Sequence, residues 1–130
     1  MKRLPYLIFA FCLLLSFNLF AETKIIRGVM SKGIKNREPV GESKIFSVSA
    51  DKIYCFTEIA SDVVPTNIVH LWLYNNNIMA EIPLSVNANN WRTYSSKIIS
   101  PSWAGSWKVE IYSEKGKLIS SIPFEVTDAK

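Results

Sequence analysis

The sequence predicts an all-β fold, an antiparallel two-sheet sandwich of the immunoglobulin-like kind. Residues 22–130 contain no window in which apolar residues recur at helical spacing over three turns, whereas several windows alternate apolar and polar residues. These windows are short, and Gly, Pro, Asn or Ser residues bound them. Short strands at this spacing in one small domain favour a sandwich over a closed barrel, although the alternation alone does not separate the two.

The first residues have the order of a secretory signal. Lys2 and Arg3 precede an almost wholly apolar stretch, residues 6–20, and the small residue Ala21 follows it. The stretch is shorter than the ~20 residues of a membrane-spanning helix, so we expect cleavage after Ala21 rather than a retained anchor. Residues 1–21 are thus predicted to be a signal peptide, and residues 22–130 a single β-sandwich domain that is periplasmic or secreted and has no membrane span after cleavage.

Composition narrows the class of protein. The full chain of 130 residues has a net charge of +4, and removal of Lys2 and Arg3 lowers it to +2, because 13 basic residues then face 11 acidic ones. No run of basic residues is left to bind nucleic acid, so we expect no nucleic-acid partner. Cys55 is the one cysteine left after cleavage, so it is either buried or paired with another chain; its apolar stretch favours the core, since free cysteine is among the most buried residue types.

Turn chemistry places the strands in order along the chain. We predict strands near residues 24–30, 44–49, 52–59, 67–74, 78–85, 91–98, 106–113 and 117–126. The three asparagines at 75–77 tolerate left-handed backbone and predict a hairpin, and residues 114–116, which end in glycine, predict another. Residues 87–90 form a third turn, and 61–66 and 100–105 are longer loops with one proline each.

The tryptophans and their neighbours define the expected faces. Alternation along 67–74 separates an aliphatic set from a ring-bearing set: Val69, Leu71 and Leu73 against Ile68, His70, Trp72 and Tyr74. We expect the aliphatic set to face the core and the rings to form an exposed stripe, with successive rings about 7 Å apart. For Trp72 the pattern does not decide between the core and the surface. Trp107 has the parity of Val109 and Ile111 and is expected in the core, while Trp103, alone in its loop, caps the sandwich or reaches a ligand.

The chain offers little for catalysis. A Ser/His/Asp triad would need Ser95 or Ser96 with His70, but neither serine lies in a nucleophile-elbow sequence and no acid stands at a telling position. A serine–lysine pair with Lys97 fails because adjacent strand residues point to opposite faces. His70 lacks the second His or Cys of a zinc site, and no glycine-rich phosphate loop exists, so we expect no enzyme, no metal and no other cofactor.

Several segments together resemble a known family. They are Arg37-Glu38-Pro39-Val40, Tyr54-Cys55-Phe56-Thr57-Glu58, Ile68-Val69-His70-Leu71-Trp72, Trp91-Arg92-Thr93-Tyr94-Ser95-Ser96-Lys97 and Gly105-Ser106-Trp107-Lys108-Val109-Glu110. This constellation resembles the bacterial domain-of-unknown-function family 2914, from about Lys24 to Val126. The resemblance implies a small β domain that stands alone after a signal or is attached to a membrane-anchored segment, and it implies no reaction.

Polar residues within these segments are the candidate ligand-binding residues, because each is costly in a core unless it is hydrogen-bonded. With the neighbouring rings they form the set His70, Trp72, Trp91, Arg92, Ser95 and Lys97. Either a buried network, with Arg92 or His70 bonded to loop carbonyls, explains them, or a groove in which rings stack on a ligand and cations meet its anionic groups. Arg37 and Glu38 are expected to pair locally before a turn at 39–41.

Function hypotheses from three classes follow. The first is a non-catalytic exported envelope binding module that recognises a glycan, a peptidoglycan or lipid-headgroup fragment, or a partner protein. The second is a structural interaction protein whose sheet edge pairs with another envelope component. The minor third is a hydrolase, which would need Ser95 or Ser96 within hydrogen-bond reach of His70 and an acid behind it. The oligomeric state is not set by the sequence.

Overall fold

The structure is a computed structural model that describes residues 22–128, so the predicted signal peptide lies outside the described residues. The described strands are β1 (Thr23–Lys35), β2 (Glu38–Glu42), β3 (Ile45–Ser47), β4 (Lys52–Ser61), β5 (Thr66–Tyr74), β6 (Asn77–Val86), β7 (Asn90–Ile98), β8 (Gly105–Ser113) and β9 (Leu118–Thr127), with one 3₁₀ turn at Val48–Ala50. Among these residues, no helix is long and apolar enough to cross a membrane.

The strands form two packed sheets with immunoglobulin-like connections. Their orders are β2-β1-β4-β7 and β3-β9-β8-β5-β6. The chain crosses between the sheets after β2, after β3, after β4, after β6 and after β7. The last three crossings give the Greek-key pattern of immunoglobulin-like sandwiches. The pairs are antiparallel except that β3 runs parallel to β9. The predicted fold class is therefore confirmed, except that the edge strand β3 is parallel to its neighbour.

The predicted strands are all present, and the structure adds β2. Residues 39–41 were expected to turn, but they lie in β2 and pair with the end of β1. The turn is made instead by Asn36 and Arg37, which have φ values of 53° and 62°. Pro39 is compatible with this placement because β2 is an edge strand with one unpaired side.

The two predicted hairpins form, and their turns contain residues that readily adopt left-handed backbone. Asn75 and Asn76 have φ values of 48° and 66° between β5 and β6, and Gly116 has a φ of 84° between β8 and β9. Residues 87–89 also connect consecutive strands, but β6 and β7 belong to different sheets. This third turn is therefore a crossing between sheets.

The core between the sheets contains an aromatic cluster at one end. Trp107 stacks on Phe124 with ring centroids 5.9 Å apart, and Trp72 meets Phe124 edge-on at 6.1 Å. Trp107 is buried as predicted, together with Val109 and Ile111. Cys55 is also buried as predicted, and its burial raises the pKa of its thiol.

The predicted facing of β5 is wrong. His70 and Trp72 are fully buried between the sheets, whereas Val69 and Leu71 lie half-buried on the outer side. The rings fill more of the space between two sheets than the aliphatic set does, and Trp72 supplies one ring of the aromatic cluster. Their polar atoms find partners on the opposite sheet, so the burial leaves no unsatisfied group.

The tip of the β1–β2 hairpin folds back over the outer face of its own sheet. Glu38 lies at this tip, yet its carboxylate is 2.8 Å from Arg27 Nη2. On a straight β1 at ~3.3 Å per residue, Arg27 would lie roughly 26 Å from Lys35, the residue paired with Glu38. The strand must therefore bend between them. The folded tip leaves the outward-facing Phe56 only 1% exposed, with Arg27 Cζ 4.8 Å from its ring centroid.

Candidate functional site

Polar side chains from both sheets form a hydrogen-bonded network inside the sandwich. Thr57 on β4 and Ser95 on β7 come from one sheet, and His70 and Trp72 on β5 come from the other. His70 Nδ1 lies 2.7 Å from Ser95 Oγ, and His70 Nε2 lies 3.1 Å from Thr57 Oγ1. Trp72 Nε1 donates to Ser95 Oγ at 3.0 Å. This network is the buried alternative expected for His70, with side-chain hydroxyls in place of loop carbonyls.

One arrangement of protons gives every donor in the network an acceptor. Trp72 donates to Ser95 Oγ, so the Ser95 hydroxyl donates to His70 Nδ1. His70 then carries its proton on Nε2 and donates it to Thr57 Oγ1. Thr57 donates in turn to the Thr93 carbonyl, 3.4 Å away. The network thus assigns His70 as the neutral Nε2–H tautomer and joins the two sheets through side chains.

The network lacks the arrangement that the hydrolase hypothesis requires. Ser95 and His70 are within hydrogen-bond reach, but the neutral hydroxyl of Thr57 stands where a triad has its acid. Ser95 is 5% exposed and His70 is 0% exposed, which leaves a substrate no access to the hydroxyl. Burial lowers the pKa of His70 to about 4, which makes the ring a weak general base.

Lys97 lies at the end of the sandwich, away from the network. Its Nζ is 5.2 Å from the centroid of the Trp103 ring in the β7–β8 loop. Trp107 Nε1 donates to the Trp103 carbonyl at 2.9 Å, which fixes this loop over the core. Trp103 therefore caps the sandwich, one of the two roles expected for it, and Lys97 packs over the cap.

A shallow surface pocket of about 290 Å³ lies beside the first half of β7. Its lining residues are Arg37, Phe56, Ser85, Trp91, Arg92, Thr93 and Tyr94. They provide two guanidinium groups, three aromatic rings and, among the described residues, no carboxylate. Aromatic faces stack on ring-shaped ligands, and guanidinium groups bind carboxylates and phosphates. The lining therefore suits a ligand that carries both a ring and an anionic group.

Arg37 occupies a backbone position that favours glycine. Its φ of 62° follows the 53° of Asn36, a pair of left-handed residues typical of a tight hairpin turn. Left-handed backbone is strained for a side chain as bulky as arginine. The Arg37 Cζ atom lies 5.8 Å from the Trp91 ring centroid. Arg37 takes part in none of the ion pairs formed among the described residues. Backbone strain of this kind concentrates at functional sites.

Glu38 fastens the hairpin tip to the sheet below. Its Oε1 accepts from Arg27 at 2.8 Å, and its Oε2 lies 3.0 Å from Arg92 Nη1. The hydrogen bond from Arg27, with the charges of Arg27 and Arg92, holds the pKa of Glu38 below its usual range. The expected Arg37–Glu38 pair is wrong, because Arg37 is the last turn residue and extends over Trp91, whereas Glu38 already belongs to β2.

The predicted ligand-binding residues are divided among three places. His70, Trp72 and Ser95 belong to the buried network, Trp91 and Arg92 line the surface pocket, and Lys97 packs over Trp103. Their role as ligand contacts stays a prediction, now centred on Trp91 and Arg92. Sequence reasoning missed Tyr94, which its parity with Arg92 on β7 would have shown, and Arg37, whose placement depends on the bend of β1 and has no local signal.

Comparison with known proteins supports the domain family. Residues 65–126, which run from β5 into β9, match the family described as Protein of unknown function (DUF2914). The family predicted by resemblance is thus supported over this segment. No curated protein matches the chain. Among solved structures, the chain is similar to the crystal structure of a Niemann-Pick type C2 protein from Japanese carpenter ant, with 12% identity, a TM-score of 0.46 and coverage of 85% of this chain and 96% of that chain.

Proposed function

We propose that the protein is a non-catalytic exported binding module of the cell envelope, whose surface pocket recognises a glycan fragment that carries an anionic group. One observation carries the proposal. The Arg37 guanidinium is held over the Trp91 ring, in a pocket that Arg92 also lines. An arginine that forms no ion pair among the described residues and lies beside an aromatic ring offers a ligand two kinds of contact. The guanidinium binds the anionic group of the ligand, and the aromatic ring packs against the ring of the ligand.

The other pocket residues fit the same ligand. Tyr94 is 48% exposed, so its ring is open to stack on a sugar face. Glu38 holds Arg92 in place through its second carboxylate oxygen, which reduces the side-chain freedom that binding would otherwise remove. Arg37 forms no ion pair with a carboxylate among the described residues, so its charge is the one that meets the anionic group.

Two further features support the export and non-catalytic parts of the proposal. Residues 1–21 have the charged, apolar and small-residue order of a secretory signal. The nucleophilic and basic groups that catalysis would use, Ser95, His70 and Cys55, are buried away from the pocket.

The test is calorimetric titration of the protein, expressed from its full sequence, with matched oligosaccharides. One series carries uronic-acid carboxylates, and the other has the same length without charge. We expect the acidic series to bind at least about tenfold more tightly than the neutral one. Arg37→Gly and Trp91→Ala should each weaken binding by about tenfold or more, since each removes one of the paired contacts.

Asn36→Gly is the matched control, because it changes the other left-handed residue of the same turn and leaves the pocket lining intact. It should bind acidic oligosaccharides as the native protein does. The proposal is contradicted if acidic and neutral oligosaccharides bind alike, or if Arg37→Gly binds as tightly as Asn36→Gly.

A further inference from the structure

The β1–β2 hairpin extends beyond the rest of its sheet. The pairing of β1 with β4 ends at Ser31, whereas the pairing of β1 with β2 begins at Ser31 and continues to Lys35. Residues 32–41 therefore form a two-stranded arm, and among the described residues no third strand pairs with it. A hairpin of two strands is only marginally stable by itself. The position of the arm thus depends on the contacts that its side chains make with the sheet.

Gly41 permits a sharp bend at the base of the arm. Its φ is 73°, in the left-handed region. A Cβ atom added at this position would lie 3.2 Å from the Cβ atom of Lys32 on the facing strand. Both facts favour glycine here. The arm folds back over the outer face of the sheet, so that its tip, residues 36–38, contacts side chains of β1 and β7.

Glu38 makes the ion pairs between the arm and the sheet. Arg27 on β1, Glu58 on β4 and Arg92 on β7 pair in register and form a row across the outer face. The two carboxylate oxygens of Glu38 lie 2.8 Å from Arg27 and 3.0 Å from Arg92. The three side chains of these two pairs are between 36% and 44% exposed, and exposed ion pairs are weak. The arm is therefore held by contacts that can break and form again.

The arm also covers an aromatic ring. Phe56 points outward from β4 and is only 1% exposed, whereas Tyr94, its neighbour on β7, is 48% exposed. Lifting the arm would expose Phe56 to water, so burial of this ring favours the closed position of the arm. The arm lies outside the core between the sheets, so it can open without a change in either sheet.

The arm supplies one side of the surface pocket. Of the residues that line the pocket, only Arg37 belongs to the arm, and the others lie on β4, β6 and β7. Arg37 precedes Glu38 in the chain, so the ion pairs of Glu38 also keep the Arg37 guanidinium beside the Trp91 ring. The pocket therefore has its full lining only while the arm is closed.

We propose that the arm is a lid whose closure is coupled to binding of the anionic ligand, and that Glu38 is a positioning residue that keeps the lid closed. This inference rests on the proposed function, because it concerns the same pocket. A ligand that contacts Arg37 on the arm and Trp91 on the sheet binds the closed form more tightly and shifts the population towards it. When part of the protein is open, the apparent affinity falls in proportion to the closed fraction.

Glu58 is a matched control for Glu38. Both carboxylates lie beside Arg27, and neither residue lines the pocket. Each negative charge repels an anionic ligand, so removing either charge should by itself raise the affinity. Only Glu38 belongs to the arm, so only its substitution should open the lid and lower the affinity. The two substitutions are therefore expected to act in opposite directions.

The test is calorimetric titration of the native protein, Glu38→Gln and Glu58→Gln with the uronic-acid oligosaccharides, each protein being expressed from the full sequence. We expect Glu38→Gln to bind about threefold to tenfold more weakly than the native protein, because a smaller fraction of it is closed. Glu58→Gln should bind as tightly as the native protein or more tightly. Glu38→Asp keeps the charge on a shorter side chain and should recover part of the affinity.

Amide hydrogen exchange measures the opening of the lid. Without ligand, residues 32–41 should exchange faster in Glu38→Gln than in Glu58→Gln or the native protein. A saturating uronic-acid oligosaccharide should slow exchange of the same residues in the native protein. Exchange in the β8–β9 turn, residues 114–116, should not change, because this turn lies outside the pocket.

Specific results would overturn the lid. One is a Glu38→Gln variant whose arm exchanges faster but whose affinity equals or exceeds that of Glu58→Gln. The others are unchanged exchange of the arm in Glu38→Gln, and unchanged exchange of the native arm at saturating ligand. If Glu38→Gln does not fold, the exchange of the native protein with and without ligand decides. Failure of the proposed function is distinguishable, because the native protein would then bind acidic and neutral oligosaccharides alike, and the lid proposal would fail with it.

Discussion

His70 on β5 and Ser95 on β7 lie in opposite sheets, and the His70 Nδ1 atom is 2.7 Å from the Ser95 Oγ atom. Most contacts across a sandwich core are apolar and tolerate small shifts. A hydrogen bond between buried groups fixes the two sheets in one alignment, because a shift would leave a buried donor or acceptor without a partner. Since Ser95 also accepts from Trp72, one hydroxyl serves two side chains of β5.

Ser95→Ala should therefore be strongly destabilising. It leaves the Trp72 N–H and the His70 Nδ1 atom without their shared partner inside the core, a loss of about 2–4 kcal/mol in the free energy of unfolding. Ser96→Ala is the control, because Ser96 is half-buried on the outer face and should change stability by less than about 0.5 kcal/mol. Urea unfolding measures both variants, and equal midpoints would contradict the role of Ser95.

The stability of the protein should fall as the pH drops below neutral. The pKa of His70 is lowered by burial from 6.5 to about 4, so between these values the unfolded chain binds a proton that the folded protein does not. The free energy of unfolding should then decrease by about 1.4 kcal/mol per pH unit from pH 6.5 towards pH 4, and level off below. Above pH 6.5 both states hold a neutral ring and the effect vanishes.

His70→Gln is the control for this pH dependence, since it removes the titrating ring and keeps a side-chain N–H. Urea unfolding at about pH 7.5, 6 and 5 measures the slope. The charge of Glu38 also contributes, but this contribution is lost only as the pH falls from about 4.5, the ordinary value below which Arg27 and Arg92 hold its pKa, and all three of these measurements lie above that pH. A native slope that matches the His70→Gln slope would show that His70 is not protonated more readily in the unfolded chain.

The parts of the fold that the sequence predicted depend on local chemistry. Asn75, Asn76 and Gly116 accept left-handed backbone wherever they stand, so their hairpins are visible in the sequence alone. Trp107 could be placed because only one face of its strand is apolar. On β5 both faces are apolar, and alternation does not say which one meets the core.

The missed features depend on residues far apart in the chain. The burial of His70 rests on hydroxyls 13 and 25 residues away in sequence, on strands of the opposite sheet. Arg37 reaches Trp91 only because β1 bends and carries the hairpin back over the sheet. No window around either residue contains that information, which explains why the predicted site separated into a buried network and a surface pocket.

Glu38→Gln should loosen the hairpin without unfolding the domain. The substitution removes the negative charge that holds both Arg27 and Arg92, so amide hydrogen exchange across residues 31–42 should become faster. The unfolding midpoint should change little, because exposed ion pairs contribute little to global stability. Glu42→Gln, in the same hairpin, is the control and should leave exchange unchanged. Added salt should reproduce part of the effect in the native protein, and identical exchange in the two variants would contradict an anchoring role.

Arg37→Gly should separate stability from binding. Glycine relieves the left-handed strain at φ 62° but makes the unfolded chain more flexible, so the melting temperature should stay equal or rise slightly. Replacing a residue that stabilises the fold would lower the stability of the protein, whereas replacing a residue that serves binding would lower only the affinity for ligand. Asn36→Gly should show the same thermal behaviour, and differential scanning calorimetry compares the two variants. A clear drop in the melting temperature of Arg37→Gly alone would mean that the Arg37–Trp91 contact stabilises the fold. The main observation behind the proposed ligand-binding pocket would then have a structural explanation instead.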